Sequence, residues 1–407
     1  MSVTLHHRRV RGGRLRSAMV GSVAAALGAA MLIALPGAAQ AGTAGHGASP
    51  QWGGTSHGRS TATCPPHAVA LGYSDALDKL QVDGAEVGGL SAMVYDARRH
   101  AYAAIEDHSG DQVSRMWFFT DPADPHVAGT LTLSAADGTP YSGANFDAEG
   151  LTILPDGDYV VSSEVEPSIH VFGRDGVELY QLPVPARFDV APAGQATDNA
   201  TLEGLTISLD GRFVYAAMEG TLSGDVSGAG TDTYRRILVY QRGRHGYQLA
   251  KQIGYRVDPG MRISEAQAYG SDGLLVMEAA WDAVNGNTIR LYAVRNVSRA
   301  RDVSAVADLG DHPQKVVRKT LVANVTKCPT LGATAKEAQT NPLMDNFEAM
   351  AVVSGQRAVR PHATVAWFRG GWHRPGRDSD VLLLSDDNFG ATQTTRLLRL
   401  AVPLPGR

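Results

Sequence analysis

Carboxylates set at repeating places around hairpins are the residues here that could do chemistry. Residues 146–168, FDAEGLTILPDGDYVVSSEVEPS, put Glu149 ahead of an Asp156-Gly157 turn and Glu164 behind it. Asp-Gly between two strand-like runs is a strong hairpin signal. The arrangement returns in LEGLTISLDGRFVYAAMEG (202–220), with Glu203, Asp210 and Glu219. It returns again in SEAQAYGSDGLLVMEAAWD (264–282), with Glu265, Asp272 and Glu278. In all three the turn aspartate follows the first glutamate by seven residues. A weaker copy opens with NFEAMAVVSGQ and Glu348, and its return strand, VLLLSDDNF (381–389), carries Asp386 and Asp387. A divergent copy comes first, GLSAMVYDARRHAYAAIEDHS, with Ser91 in the first acid's place and Glu106-Asp107 in the second's.

Carboxylates that converge on one place repel one another. Either their pKa values rise or a cation neutralises them. Hard oxygen donors select Ca²⁺, or Mg²⁺, over zinc, and the sequence has no His/Cys cluster or H-E-x-x-H to argue for zinc. The plainer reading of any single acid is an acceptor of backbone N–H bonds at a strand end. Two acids in each of several repeats exceed what that role requires.

The elements that must position these acids are strands. From about Leu71 onward, short runs rich in Val, Ile, Leu, Tyr and Thr alternate with Asp-Gly, Gly and Pro turns, which is an all-β texture. The copies recur at intervals of roughly 55–80 residues, too long for one hairpin each and suited to four-stranded sheets. RMWFFT (115–120), SIHVFG (168–173), RRILVYQ (235–241) and TIRLYAV (288–294) supply a further strand after each second acid. Four-stranded antiparallel units repeated around a ring make a β-propeller. Five units are visible, and the wide gap from Glu265 to Glu348 leaves room for a sixth, so five or six blades are expected. A two-sheet sandwich would not explain acids at matching offsets. In a ring, Glu149, Glu203, Glu265 and Glu348 form one set. Glu106 or Asp107, Glu164, Glu219, Glu278 and Asp386 or Asp387 form another.

The series GLSAM, DAEGL…SSE, NATLEGL…AAMEG, SEAQA…VMEA, DNFEAM and LLLSDDNF resembles the phytase-like family called "esterase-like activity of phytase", over about residues 85–400. The resemblance implies a secreted β-propeller that hydrolyses phosphoric mono- or diesters. Matched motif by motif, it implies functional roles for Glu149, Glu164, Glu203, Glu219, Glu265, Glu348, Asp386 and Asp387, with Ser91, Asn199 and Asn388 as polar companions. The fourth copy departs from the pattern: Glu278-Ala279 stands where an acid-Arg pair is usual. The expected division of labour gives Glu203, Glu265, Glu149 and Glu348 to catalysis, and Glu164, Glu219, Asp386, Asp387 and Asp107 to a Ca²⁺ site. Arg115, Arg262 and Lys327 are candidates to orient phosphate, with solvated surface charge as the ordinary alternative. His108, next to Glu106-Asp107, and His170 are the histidines nearest the motifs.

Two readings of other classes stay open at this stage. One is a calcium-stabilised propeller that binds an extracellular partner without catalysis. The other is a lactonase-type hydrolase with a single metal held by Glu and Asn.

The rest of the chain sets the context. Of 407 residues, 43% are hydrophobic and 19% charged, an ordinary globular balance. Residues 1–41 read as a signal peptide: five arginines up to Arg16, an apolar run from Ala18 to about Leu35, and an Ala39-x-Ala41 cleavage site. Arg8-Arg9 is a twin-arginine pair with poorly matching flanks. Removing the five leader arginines leaves 32 Lys and Arg against 41 Asp and Glu, a net charge of −9. That balance disfavours nucleic acid. The expected product is a secreted monomer with no transmembrane segment, acting on a small-molecule or lipid phosphate ester. Residues 42–70 read as a Gly/Ser/Thr-rich linker and 71–407 as the propeller. Gly54-Thr55-Ser56-His57-Gly58 fits a nucleophile elbow, but its flanks lack the strand and helix that motif requires. The two cysteines, Cys64 and Cys328, are expected to pair in an oxidising compartment.

Overall fold

The computed structural model describes residues 63–108, 110–226, 232–353 and 378–406. The expected leader, most of the expected linker and the elbow-like motif lie outside them. The described chain is all-β, with five antiparallel sheets arranged as the blades of a propeller.

Blade 1 runs Leu90–Asp96, Ala101–Glu106, Arg115–Thr120, His126–Thr132. Blade 2 runs Ala148–Ile153, Tyr159–Ser163, Ser168–Phe172, Glu178–Leu182. Blade 3 runs Leu202–Ile207, Phe213–Met218, Tyr234–Gly243, Gly246–Arg256. Blade 4 runs Arg262–Tyr269, Gly273–Asp282, Gly286–Arg295, Lys319–Asn324. Blade 5 takes Phe347–Val352, Asp378–Ser385 and Leu397–Pro403 from the end of the chain and Ala68–Ser74 from its beginning, with the short Thr63–Cys64 at its edge. Residues 63–70, read above as the end of the linker, therefore belong to a sheet. Ala68–Ser74 alternates buried and half-buried positions as a sheet strand does, and pairs with Leu397–Ala401.

The gap between Glu265 and Glu348 holds no sixth blade. It is filled by the remaining strands of blade 4 and by loops with short 3₁₀ turns at Val297–Arg299, Pro313–Lys315 and Val325–Lys327.

Burial rises toward the axis, and the sequence follows it. The outermost strand of blade 1, His126–Thr132, alternates exposed and half-buried residues, whereas the innermost, LSAMVYD, is buried almost throughout. Each innermost strand packs against the next around the ring, and blade 5 packs back on blade 1. Most of the core is correspondingly five apolar layers, one in each seam, with a small sixth cluster of Tyr234, Val303, Val306 and Leu309. Phe118, Leu151 and Phe172 fill the seam of blades 1 and 2, and Leu202, Leu205 and Ile169 that of blades 2 and 3. Tyr255, Ile263 and Val276 fill the next, then Met277, Phe347 and Leu383, then Leu90, Trp117 and Leu384. Close approach of inner strands explains Gly150, which follows Glu149: a Cβ there would run into the Glu203 carbonyl oxygen. A disulfide joins Cys64, at the edge of blade 5, to Cys328, just past blade 4.

Candidate metal centre and hydrolytic site

All five blades break register at one place, where the innermost strand begins. The ladder pairs at the break are Leu90 with Glu106, Ala148 with Ser163, Leu202 with Met218, Ile263 with Glu278, and Phe347 with Ser385. A β-bulge follows each pair. A bulge sets two residues against one and re-aims the side chain at that point. The residue after each of these pairs is Ser91, Glu149, Glu203, Ser264 and Glu348 in turn. Across the ladder, the residue after each partner is Asp107, Glu164, Glu219, Ala279 and Asp386. The residue before each of these pairs is Gly89, Asp147, Thr201, Arg262 and Asn346. Backbone bonds fasten the last two sets together: Asp107, Glu164, Glu219 and Asp386 donate N–H to the carbonyls of Gly89, Asp147, Thr201 and Asn346.

Three rings of side chains thus meet at one end of the axis. They bring together Asp107, Asp147, Glu149, Glu164, Glu203, Glu219, Glu348 and Asp386. Burial and mutual repulsion act on them in concert. Burial, then the charges of Glu203, Asp107, Glu164 and Glu348, holds Glu149 well above the usual carboxylate range. Burial, then Glu219 and Glu348, does the same to Glu203. Asp147 is pushed to about 9 by burial and by the Asp107 carboxyl beside it, and Glu164 to about 7 by burial and Glu219. Asp386 is raised by burial and by Glu348 and Asp107.

Among the described residues one cation answers these acids. Arg262 Nη1 donates to Glu203 Oε1 (3.0 Å) and Glu219 Oε1 (2.8 Å), and Nη2 to Asn346 Oδ1 (3.1 Å) and Glu348 Oε1 (2.6 Å). Burial works against its charge, but Glu348, Glu219 and Glu203 override that and raise its pKa well above the ordinary value. Arg262 belongs to the mouth, not to the solvated surface.

On the other side of the mouth no cation among the described residues pairs with the acids. Carboxylate oxygens of Asp107, Asp147 and Glu149 lie within 4.8 Å of one another. Asp147 Oδ1 is buried there without a hydrogen-bond partner, and so is Glu203 Oε2 nearby. A buried, unpaired acceptor amid carboxylates fits a hard divalent cation. The donor set is all oxygen, the donor type of hard divalent cations.

Several expected site residues lie elsewhere. Blade 4 places both its glutamates one residue out of step: Ser264 and Ala279, not Glu265 and Glu278, stand at the ring positions. Glu265 is buried instead against blade 3, accepting the Leu205 N–H at 3.2 Å and the Ala266 N–H at 2.7 Å. Glu278 takes the Tyr255 hydroxyl (2.6 Å), the Asp258 N–H (2.9 Å) and Lys319. Asp387 pairs with Lys79 and accepts the Gly89 N–H at 2.9 Å, closing the seam of blades 5 and 1. Of Glu106-Asp107, Asp107 takes the ring position, while Glu106 is bound by His108 (2.8 Å), Arg115 (3.0 Å) and Trp117. His108 also stacks on Phe389. His170 is held between Glu178 and Ser168, and Lys327 is exposed. Asn388 donates its N–H to Asp386 at 2.7 Å, and Asn199 is exposed in a left-handed turn. Asp147 and Asn346 were not among the expected residues. Their signal was positional: each stands two residues ahead of a ring glutamate.

The family model "Phytase-like: Esterase-like activity of phytase" matches residues 85–389. The chain belongs to this family. The matched span of the phytase-like chain contains every residue of the three rings. No curated protein matches it. Among solved structures it is similar to the catalytic domain of a Coprinopsis cinerea GH62 alpha-L-arabinofuranosidase, at 12% identity and a TM-score of 0.39, covering 80% of this chain and 94% of that one. It is also similar to the PQQ-bound aldose sugar dehydrogenase of Streptomyces coelicolor, at 12% identity and 0.36, covering 83% and 92%. At such scores the likeness says nothing about the site.

Proposed function

We propose that the mouth is a metal-dependent hydrolytic site for phosphoric esters. Asp107, Asp147 and Glu149 would hold a Ca²⁺ ion, or Mg²⁺ in its place, with Glu164 and Asp386 adjoining. The observation that carries this reading is the carboxylate triad with an unpaired buried oxygen on Asp147. A bound divalent cation supplies charge stabilisation at a phosphoryl oxygen and eases ionisation of water.

The chain's own residues do the rest. Arg262 fixes Glu203 by one oxygen and leaves Oε2 as a free acceptor. Glu203 receives a proton from the attacking water as the new phosphorus–oxygen bond forms. The ester bond to the alcohol breaks, and the departing alcohol takes its proton from water at the mouth. Glu348 and Glu219 hold the guanidinium in place. Asp107, Asp147 and Glu219 are only half-buried, so the site is open to a substrate from solvent. The proposal needs no serine nucleophile.

Secretion belongs to the same proposal. The Cys64–Cys328 disulfide suits an oxidising compartment. Among the described residues no helix is long and apolar enough to cross a membrane.

The test is a panel of phosphomonoesters, phosphodiesters, lactones and carboxyl esters, each with Ca²⁺ and with a chelator. Calcium-dependent cleavage of a phosphoric ester is the expected result. Turnover of carboxyl esters or lactones alone would overturn it. Calcium-dependent stability with no turnover would leave a binding propeller.

A further inference from the structure

Blade 4 contributes no carboxylate to the rings. Its ring positions are Ser264 and Ala279, and its third position is Arg262. The guanidinium therefore sits where a fourth pair of acids would stand. Four oxygens from the two flanking blades converge on it: Glu203 Oε1 and Glu219 Oε1 from blade 3, Asn346 Oδ1 and Glu348 Oε1 from blade 5. Three carboxylates and an amide carbonyl are the donor types of a calcium site. Among the described residues, the buried ring oxygens without a partner include Ser264 Oγ, 1% exposed, on blade 4 itself and Glu203 Oε2, on a residue 5% exposed, besides Ser91 Oγ, Asp147 Oδ1 and Thr201 Oγ1. A buried hydroxyl without a partner is an oxygen donor that a bound ion could satisfy.

We propose that Arg262 is a built-in counter-cation occupying a second divalent-ion position, so that the native mouth takes up one ion and not two. The inference rests on the reading that the mouth binds a divalent cation. A guanidinium can bridge several carboxylates through a fixed fork, which a lysine ammonium cannot do with the same geometry. It carries one positive charge against three carboxylates, so a calcium ion could replace it electrostatically. The site Asp107–Asp147–Glu149 shares none of these four oxygens, although Glu203 and Glu348 act on Glu149 through their charge. Arg262 thereby sets how much positive charge an anionic substrate meets, and on which side of the mouth.

The experiment is calcium titration by calorimetry, with thermal melting in Ca²⁺ and in chelator, on the full chain and on Arg262→Gln. Wild type should take up about one ion and the variant about two. The variant should melt well below wild type in chelator and recover in Ca²⁺. An ion count unchanged by the substitution would overturn the inference while leaving the first site intact. An ion count of none in wild type and about one in the variant would sink the reading of the native site but support the role of Arg262. A variant that folds in neither buffer would also overturn the inference, because a cation could not then stand in for the guanidinium. Arg262→Lys provides the control: it keeps the charge and should not gain the second ion.

Discussion

Glu203 and Glu265 hold the same place in their sequence motifs but not in the ring. Glu203 directly follows the ladder pair at the register break of its blade, whereas Glu265 follows its own by two residues, with Ser264 between. A one-residue slip turns a strand's side chains to the opposite face. Glu203 consequently faces the mouth, and Glu265 faces the backbone of blade 3.

Glu265 is therefore expected to matter for stability and not for cation binding. Burial raises its pKa well above the ordinary value, although two backbone N–H bonds oppose this. Glu265→Gln preserves the acceptor and should leave the melting temperature close to wild type. Glu265→Ala leaves two buried donors unpaired and should destabilise by about 1–3 kcal/mol. Neither should change calcium affinity. A tenfold loss of affinity in Glu265→Gln would return this residue to the mouth.

The slip explains what was legible in the sequence. The hairpins, the acids and the ring could be read because Glu149, Glu203 and Glu265 each precede a turn aspartate by seven residues. The register of blade 4 could not be read from that spacing. Its hairpin is tighter: Tyr269 pairs with Gly273, while Ile153 pairs with Tyr159 in blade 2. A signal did exist. The second acid follows the turn aspartate by eight residues in blade 2 and nine in blade 3, but by six in blade 4. Asp147 was marked only by its place two residues ahead of Glu149, and Arg262 stands two ahead of a serine, so no acid in its own repeat pointed to it. Only the ring brings Arg262 to Glu348, 86 positions along the chain. Asp387 looked equivalent to Asp386 until the fold set Lys79 and Gly89 beside it.

The acidic mouth predicts a specific pH dependence. Glu164 and Asp147 have folded-state values of about 7 and about 9, caused first by burial and then by neighbouring acids. Carboxylates in the unfolded chain titrate near 4. A raised folded-state value favours folding fully below the unfolded value, and that support is lost as pH rises through the folded one. In chelator the melting temperature should fall as pH is raised from about 4 to about 9. Saturating Ca²⁺ should flatten that fall, since the ion favours the charged forms. A melting temperature that rises over this range in chelator would contradict the electrostatic account.

The disulfide makes a separate prediction. It ties residues 264 positions apart and fastens the edge of blade 5 to the end of blade 4. Opening so long a loop should cost about 2–5 kcal/mol. Cys64→Ser with Cys328→Ser should lower the denaturant midpoint accordingly, with calcium affinity retained because neither residue reaches the mouth. A midpoint equal to wild type would show that the ring closes by strand pairing alone.

The most direct test of the proposed function is calcium-dependent phosphate release from a phosphomonoester by the intact protein, wild type against Asp147→Asn. The substitution keeps shape and removes one charge from the triad. The account predicts release that requires Ca²⁺ in wild type and falls by about 100-fold in the variant, with calcium affinity at least about tenfold weaker. Undiminished release by Asp147→Asn, or equal release by wild type in chelator, would contradict it.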